Sequence, residues 1–292
     1  MGREFWIVGP GRMGLSLAAV LAGAEDGHRV MLIGRRVGSR DPVARDTEVR
    51  LVVGIPGPPP AGACVLIAVP DGSVPGVASD LAAAGVTEGP CTALHLSGAL
   101  VSSALDVLRE RGYAIGSLHP LQTVADPASG PERLRGAFFT FEGEPGARGV
   151  AGEVVRAAGG YMLDLPPGNK GRYHAACVFA SNYLVTCAAV ATRLLATAMG
   201  LEEREAAQAL APLWRGSIAN LERLGARKAL TGPVARGDVA TVKASLSELT
   251  GVDSDLYRQL ALGALGLASV DLPAERVAAL RDVLEGNGQA RE

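Results

Sequence analysis

The residues near the start of the chain whose types and spacing point to chemistry are the glycines of a GxGxxG motif at residues 9–14. The motif follows a short apolar segment, residues 5–8, and precedes a helical pattern. In that context the first glycine permits a tight turn, the second lets the backbone approach a pyrophosphate, and the third lets helix and strand pack closely. The helix start adds free N–H groups and a positive dipole end. The motif predicts a dinucleotide site, and a glycine-rich turn without a ligand is the alternative. The expected contacts are Gly9, Gly11, Arg12, Met13 and Gly14.

The choice of cofactor depends on the end of the second predicted strand, residues 29–33. NAD sites have a carboxylate about 20 residues after the motif, which binds the ribose hydroxyls. Here Gly34 is followed by Arg35 and Arg36, and the next acid is Asp41. Guanidinium groups suit the 2′-phosphate of NADP through charge-assisted hydrogen bonds. The two arginines therefore favour NADP over NAD, with a solvated turn as the alternative.

Two further positions follow later apolar strand segments. Ligands on parallel sheets bind beyond the carboxyl ends of the strands. We therefore expect both positions to flank the cofactor, with Ser97 and Gly98 nearer the nicotinamide. A helix cap is the alternative role for Ser97. The residues concerned are Val69, Pro70, Asp71, Ser97 and Gly98.

His119 lies just beyond the strand predicted at residues 114–118. Pro120 after it favours an extended backbone, which would let the imidazole face the ligands. His119 is therefore a candidate proton donor, and Ser97 joins it as a candidate catalytic residue because of its expected place beside the nicotinamide. A loop histidine bonded to the backbone is the alternative.

The segments that carry these residues alternate between short apolar strands and helical patterns. Such alternation is typical of a doubly wound parallel sheet. After the Pro-Pro-Gly sequence at 166–168 the pattern is helical almost to the end, with glycine and proline at the breaks. We predict an α/β Rossmann domain at residues 1–166 and an all-α domain at residues 167–292.

The composition is that of a globular protein, with 48% hydrophobic residues, 20% charged residues and a formal net charge of -2. Neither sign of charge dominates, so we expect no nucleic-acid or membrane partner. The four cysteines lack CxxC pairs and metal-binding spacing, so we expect buried thiols and no metal. The stretch between Arg172 and Arg193 is uncharged and long enough to span a bilayer, but its polar residues favour a buried helix. A strand pattern within the first ten residues leaves no secretory signal, and we expect a cytoplasmic protein.

Several motifs accompany the glycine motif: LIAVPD at 66–71, HLSGA at 95–99, GSLHPLQT at 116–123, YHAA at 173–176, ASNY at 180–183 and LTGPVARGD at 230–238. Together they resemble a bacterial family of Rossmann-like proteins whose C-terminal half is a domain of unknown function. More distantly, the chain resembles 6-phosphogluconate and β-hydroxyacid dehydrogenases, pyrroline-carboxylate reductase, ketopantoate reductase and deazaflavin-dependent NADP reductases. The resemblance implies a helical domain like that of 6-phosphogluconate dehydrogenase, which closes the cleft and often dimerises. It implies no particular substrate.

The β-hydroxyacid dehydrogenases begin their interdomain helix with a catalytic lysine, followed four residues later by an asparagine. The matching positions here are Lys170 and His174, so the lysine is kept and the asparagine is replaced. At about 100° per residue these two side chains share one stripe of a helix. The match implies that Lys170 stabilises an oxyanion or donates a proton, and that His174 donates or relays one. A solvated lysine and a core histidine are the alternatives.

These features lead to one functional expectation and two alternatives. We expect an NADP-dependent oxidoreductase that moves a hydride between NADP(H) and a C=O or C=N group of a small-molecule substrate. The first alternative is a non-catalytic NADP-binding sensor or scaffold, and the second is a deazaflavin-dependent NADP reductase. We also expect a homodimer, because a single helical domain would not cover so apolar a helix.

Overall fold

The computed structural model describes residues 2–35 and 49–286. The chain divides into two compact units, Met1–Tyr183 and Leu184–Glu292. The first unit thus extends past residue 166, where the sequence pattern places the domain boundary.

Within residues 2–35 and 49–183 the first unit forms one sheet of eight strands. They are β1 (Glu4–Val8), β2 (Arg29–Gly34), β3 (Val49–Val53), β4 (Cys64–Ile67), β5 (Cys91–His95), β6 (Tyr113–Pro120), β7 (Phe138–Gly143) and β8 (Tyr161–Asp164). Their spatial order is β3-β2-β1-β4-β5-β6-β7-β8. The first six pair in parallel, in the strand order of a dinucleotide-binding sheet. The predicted Rossmann fold is confirmed.

The central strands of this sheet are buried on both faces, whereas the edge strands β3 and β8 are largely exposed. Successive side chains of a strand point to opposite faces, and in β1 Phe5 and Ile7 belong to one apolar cluster while Trp6 and Val8 belong to another. The four side chains are less than 9% exposed. Helices therefore cover both sides, which explains why the strands read as unbroken apolar runs.

The described residues of this unit form five α-helices: α1 (Arg12–Ala22), α2 (Val74–Ala83), α3 (Gly130–Leu134), α4 (Pro145–Ala157) and α5 (Lys170–Val178). The helical pattern predicted at 101–111 forms a 3₁₀ helix instead, Ser102–Arg111. Its first residue is held from another element, because the Glu142 carboxylate accepts hydrogen bonds from the backbone N–H and the hydroxyl of Ser102.

β7 runs antiparallel to β6, which the sequence pattern does not indicate. The connection between them contains α3, which has only five residues and is about 7 Å long. That helix is too short to return the chain along the eight-residue β6. β7 therefore begins at the end of the sheet where β6 finishes. β8 then pairs in parallel with β7.

The second unit is helical throughout its described residues. Its helices are α6 (Leu184–Met199), α7 (Glu203–Ala229), α8 (Val239–Ser247), α9 (Gly251–Ala268) and α10 (Ala274–Glu285). Side chains of α8, α9 and α10, including Val242, Leu265 and Leu280, form its core. The predicted break at Gly225 appears as a kink with φ +74° inside α7. The predicted all-α second half is confirmed.

The apolar helical run Lys170–Met199 differs from the expected buried helix. It contains a π turn, Phe179–Tyr183, between α5 and α6. By length and composition it is the one helix in the described residues that could cross a membrane. Within the single chain most of its side chains are exposed, Phe179 and Val185 to 67% each. One chain therefore leaves much of this helix uncovered, as the dimer expectation assumes, and its burial by a second copy stays a prediction.

Candidate functional site

The turn between β1 and α1 has the geometry that the glycine motif predicts. Gly9 has φ +111°, and a Cβ atom there would lie 2.4 Å from the carbonyl oxygen of Ala68. A Cβ atom on Gly14 would lie 2.1 Å from the carbonyl oxygen of Gly9, whereas one on Gly11 would meet no atom within 4 Å. The turn is thus closed on the side of the sheet and open at Gly11, where a phosphate could approach the backbone.

The first turn of α1 supplies the hydrogen-bond donors for such a phosphate. The first intrahelical bond runs from Leu15 N to Gly11 O, so the preceding N–H groups, including those of Arg12 and Met13, have no helical acceptor. Arg12 is exposed, and Met13 packs partly against the core. These residues fit a dinucleotide pyrophosphate through backbone groups and the helix dipole.

The predicted cofactor-selecting arginines follow β2 directly. Arg35 is exposed at the carboxyl end of that strand, where its guanidinium can meet a ribose phosphate. Arg36 lies outside the described residues. The preference for NADP therefore stays a prediction.

The residues after β4 lie at the same edge of the sheet as the glycine turn. β4 pairs with β1 so that Ile67 is opposite Val8. Val69 is half-buried, Pro70 is exposed, and Asp71 is exposed at the start of a 3₁₀ turn, Asp71–Ser73. These residues therefore lie where we expect them to flank the cofactor, at the point where the strand order reverses.

Ser97 and Gly98 follow β5 and are both buried. The hydroxyl oxygen of Ser97 accepts hydrogen bonds from the N–H groups of Ala99 and Leu100, at 3.1 and 2.9 Å. Ser97 therefore caps the turn that leads into the next helix, as its alternative role predicts. Its own hydroxyl hydrogen is not used by these two bonds, so it can still be donated.

Lys170 is buried in the first unit, with only 4% of its surface exposed. Its ammonium donates a hydrogen bond of 2.6 Å to the hydroxyl oxygen of Ser117 on β6. The Ser117 hydroxyl in turn donates to the carbonyl oxygen of Ser97, at 3.2 Å. Burial lowers the pKa of Lys170, and the negative charges of Glu142 and Asp71 oppose that shift. The expected alternative of a solvated lysine is wrong, and a buried ammonium beside a strand end can act on a reacting atom.

His119 lies on β6 near its carboxyl end and contacts Tyr173 of α5. The Nδ1 atom of His119 is 2.5 Å from the Tyr173 hydroxyl, and the rings meet edge to face. Burial, followed by the charge of Lys170, lowers the pKa of His119 to about 4. Burial also raises the pKa of Tyr173. At neutral pH both groups are therefore uncharged.

His174 and His119 meet at Gly98. A Cβ atom on Gly98 would lie 3.0 Å from His119 Nε2 and 3.1 Å from His174 Nδ1. His174 Nδ1 is buried and has no hydrogen-bond partner among the described residues. The structure thus places His119 and His174 beside Gly98, next to Ser97, and it links Lys170 to Ser97 through the hydroxyl of Ser117.

His95 has the structural role that its buried strand predicts. It is fully buried, its Nδ1 accepts from the N–H of Ser97, and its Nε2 donates to the carbonyl oxygen of Val101. Burial lowers its pKa to about 4. His95 therefore fixes the loop that carries Ser97 and Gly98.

Sequence reasoning missed two residues of this site, Ser117 and Tyr173. Both stand in motifs on which the family resemblance depends, GSLHP and YHAA, but neither type indicates a role by itself. Tyr173 lies three residues after Lys170, so the helical spacing already places it near the lysine. Ser117 carried no such signal, because its contact depends on how α5 packs on β6.

Two family models match the chain. A Rossmann-like domain matches residues 3–120, and a domain of unknown function (DUF2520) matches residues 137–263. No curated protein is significantly similar to the chain.

Solved structures of similar fold cover nearly the whole chain. The protein TM1727 from Thermotoga maritima is 24% identical, with a TM-score of 0.65 over 98% of this chain and 100% of its own. A provisionally named NADP oxidoreductase from Bacteroides fragilis is 18% identical, with a TM-score of 0.71 over 91% and 98%. A pyrroline carboxylate reductase from Plasmodium falciparum with NADP bound is 12% identical, with a TM-score of 0.54 over 96% and 100%. At these identities the likeness establishes the fold. The chain thus matches the Rossmann-like domain model over its first part and the DUF2520 model over most of the rest.

Proposed function

We propose that the chain is an NADP-dependent oxidoreductase that moves a hydride between the cofactor and a C=O or C=N carbon of a small substrate. One observation carries this proposal: the ammonium of Lys170 is buried and is joined through the Ser117 hydroxyl to Ser97, in the loop that follows β5. A buried cation without a carboxylate in hydrogen-bond contact is costly. Such a group is retained more readily for chemistry than for stability.

The cofactor assignment is supported by the open backbone at Gly11, by the free N–H groups of α1 and by Arg35 after β2. Two of the similar structures are named for NADP or contain it. When bound, NADP(H) supplies or accepts the hydride, and the protein contributes positioning and charge.

The chain's own residues supply the proton and stabilise charge in this proposal. Lys170 donates the proton to the substrate heteroatom, and its positive charge stabilises an alkoxide or amide anion that forms on hydride addition. Ser117 holds the ammonium in place through its hydroxyl. Ser97 and His95 fix the loop beside which the substrate binds.

The test has a binding step and a turnover step. Calorimetry should show NADPH binding to the wild type, to Lys170→Met, and to the control Lys228→Met, which removes an exposed lysine of α7. In a screen of small carbonyl and imine compounds, NADPH oxidation by the wild type and the control should exceed that of Lys170→Met by about a hundredfold or more. NADPH binding without oxidation of any compound would favour the nucleotide sensor, and absence of binding would refute the proposal.

We also propose that the protein is a cytoplasmic homodimer whose contact is built on the second unit. The support is the apolar surface that one chain leaves uncovered, including Val185, Met199 and Leu213, each more than 60% exposed. A second copy suits this surface better than lipid does. The helical run that carries Val185 and Met199 begins with the buried Lys170 and contains Arg193, which forms an ion pair with Asp253.

A further inference from the structure

One face of α5 meets one face of β6 at two points. Lys170 and Tyr173 are three residues apart on the helix, so their side chains lie on the same side of it. Ser117 and His119 are two residues apart on the strand and share a face of the sheet. The ammonium of Lys170 lies 2.6 Å from the Ser117 hydroxyl oxygen, and the Tyr173 hydroxyl lies 2.5 Å from His119 Nδ1. The two contacts fix the two helix side chains beside each other.

The ring of Tyr173 lies against the Lys170 ammonium. Lys170 Nζ is over this ring, 5.8 Å from its centroid, within the range at which the negative face of an aromatic ring attracts a cation. The hydroxyl contact with His119 holds the far end of the ring, and the imidazole meets it edge to face at a centroid distance of 5.6 Å. Turning the ring away from Lys170 would therefore break its contact with His119.

The ammonium has few other neighbours that favour its charge. Its hydrogen-bond partner among the described residues is the Ser117 hydroxyl, which is itself uncharged. Burial lowers the pKa of Lys170, and the negative charges of Glu142 and Asp71 oppose that shift. Neither carboxylate is in hydrogen-bond contact with the ammonium in the described part of the chain. Glu142, on β7, accepts hydrogen bonds from Ser102, and Asp71 is exposed after β4.

Four further titratable groups surround Lys170 and Tyr173. They are His95 on β5, His119 on β6, and His174 and Cys177 on α5. Burial lowers the pKa of His95 and of His119 to about 4, so both rings are uncharged at neutral pH. A histidine side chain adds no negative charge in either of its forms, and the Cys177 thiol is near Tyr173. The ring of Tyr173 is thus the group that, together with the Ser117 hydroxyl, favours the ammonium at close range.

We infer that Tyr173 is a positioning residue for the proton donor, because the face of its ring keeps the Lys170 side chain in its ammonium form. This inference rests on the proposed function, in which Lys170 donates a proton to the substrate heteroatom. A lysine that has lost its proton cannot serve as that donor. The effect comes from the charge distribution of the ring, so an aliphatic side chain of similar size would fill the space without it.

The first test measures the charge of Lys170 without cofactor or substrate. The chain has only three lysines, and Lys228 and Lys243 are exposed. In ¹³C spectra of lysine-labelled protein, the Cε signal that is missing from Lys170→Met therefore belongs to Lys170. In Tyr173→Leu the titration midpoint of this signal should fall by about one pH unit. Tyr173→Phe keeps a ring and should stay closer to the wild type. The control Tyr161→Leu, at an exposed tyrosine of β8, should leave the midpoint unchanged.

Two results of this titration would overturn the inference, even in a protein that binds and oxidises NADPH. One is an unchanged Lys170 midpoint in Tyr173→Leu. The other is an equal decrease in Tyr173→Phe and Tyr173→Leu, because the hydroxyl and not the ring would then account for the effect. Tyr173→Met removes the same ring with a flexible side chain that adapts to irregular spaces, and it replaces the leucine variant if that variant does not fold.

The second test follows the pH dependence of turnover with a compound that the wild type reduces. If Lys170 donates the proton, kcat/KM falls as the pH rises through its pKa. Tyr173→Leu should move this decrease to lower pH by the same interval as the ¹³C midpoint, without a change in NADPH binding. A midpoint that moves while the decrease in kcat/KM stays in place would refute the positioning role of Tyr173 and the donor role of Lys170. The NADPH oxidation itself would still support an oxidoreductase.

Discussion

The ammonium of Lys170 lies 2.6 Å from the hydroxyl oxygen of Ser117, a residue 53 positions earlier in the chain. The contact joins the start of α5 to β6 of the sheet. It also holds a charge in a place that water scarcely reaches, since Ser117 is fully buried and Lys170 nearly so.

Removing the Ser117 hydroxyl, which accepts a hydrogen bond from the Lys170 ammonium, should destabilise the fold. In Ser117→Ala the ammonium loses its hydrogen bond, and we expect the free energy of unfolding to fall by about 1–3 kcal/mol in urea titrations. Lys170→Met in the same background should recover most of the loss, because no buried charge then remains unpaired. Ser79→Ala, at an exposed serine of α2, is the control. Equal losses in the presence and absence of Lys170 would show that the two side chains are not coupled.

The arginines after β2 should determine cofactor preference. Replacing Arg35 and Arg36 together by alanine should weaken NADPH binding at least tenfold, about 1.4 kcal/mol. NADH lacks the 2′-phosphate and should bind nearly as before. Calorimetry with both nucleotides measures the ratio of the NADPH and NADH affinities directly. A ratio equal to that of the wild type would show that these arginines do not contact the cofactor.

A side chain at residue 98 should disturb both histidines at once. In Gly98→Ala the new methyl group would lie about 3 Å from His119 and His174, so we expect changed ¹⁵N signals for both and a loss of about 1–3 kcal/mol in unfolding free energy. Gly76→Ala, within α2 and without neighbours within 4 Å of its added atom, should be neutral or stabilising. Unchanged histidine signals in Gly98→Ala would contradict the close approach of both rings to Gly98.

Acid should destabilise the first unit through two histidines. Burial lowers the pKa of His95 and of His119 from 6.5 to about 4. Between these values the unfolded chain binds more protons than the folded one. The free energy of unfolding therefore falls as the pH drops through this window and levels off below it. Each histidine contributes roughly 3 kcal/mol to this decrease in the free energy of unfolding. Urea titrations across the window should show a smaller decrease for His119→Gln than for the wild type, and an equal decrease would contradict the buried neutral state.

The exposed apolar surface of the second unit should be covered in a dimer. Sedimentation at micromolar concentration should give the mass of two chains for the wild type. Val185→Glu on α6 should shift the protein toward monomer, because a carboxylate would be buried in the contact. The matched control Val86→Glu changes a valine of the first unit that is 58% exposed and should remain dimeric. A monomeric wild type would count against the homodimer.

The sequence by itself determined the helices and strands that a local hydrophobic pattern indicates. It also determined the residues whose type fits only one structural role. Gly9 and Gly14 belong to this class, because no side chain fits the turn that they make. The alternation of buried strands with helices likewise indicated the parallel sheet, since strands covered on both faces need apolar residues at every position. The helical second half followed from its breaks at glycine and proline.

Only the tertiary structure decided which polar groups meet. Lys170 and His174 were visible as a pair on one helix, but their partners Ser117, His119 and Gly98 lie on other elements. Whether a lysine is solvated or buried depends on the packing of α5 against β6. Neither the antiparallel β7 nor the hydrogen bond of His119 has a local signature. The first follows from how far α3 can carry the chain, and the second from a hydroxyl 54 residues away.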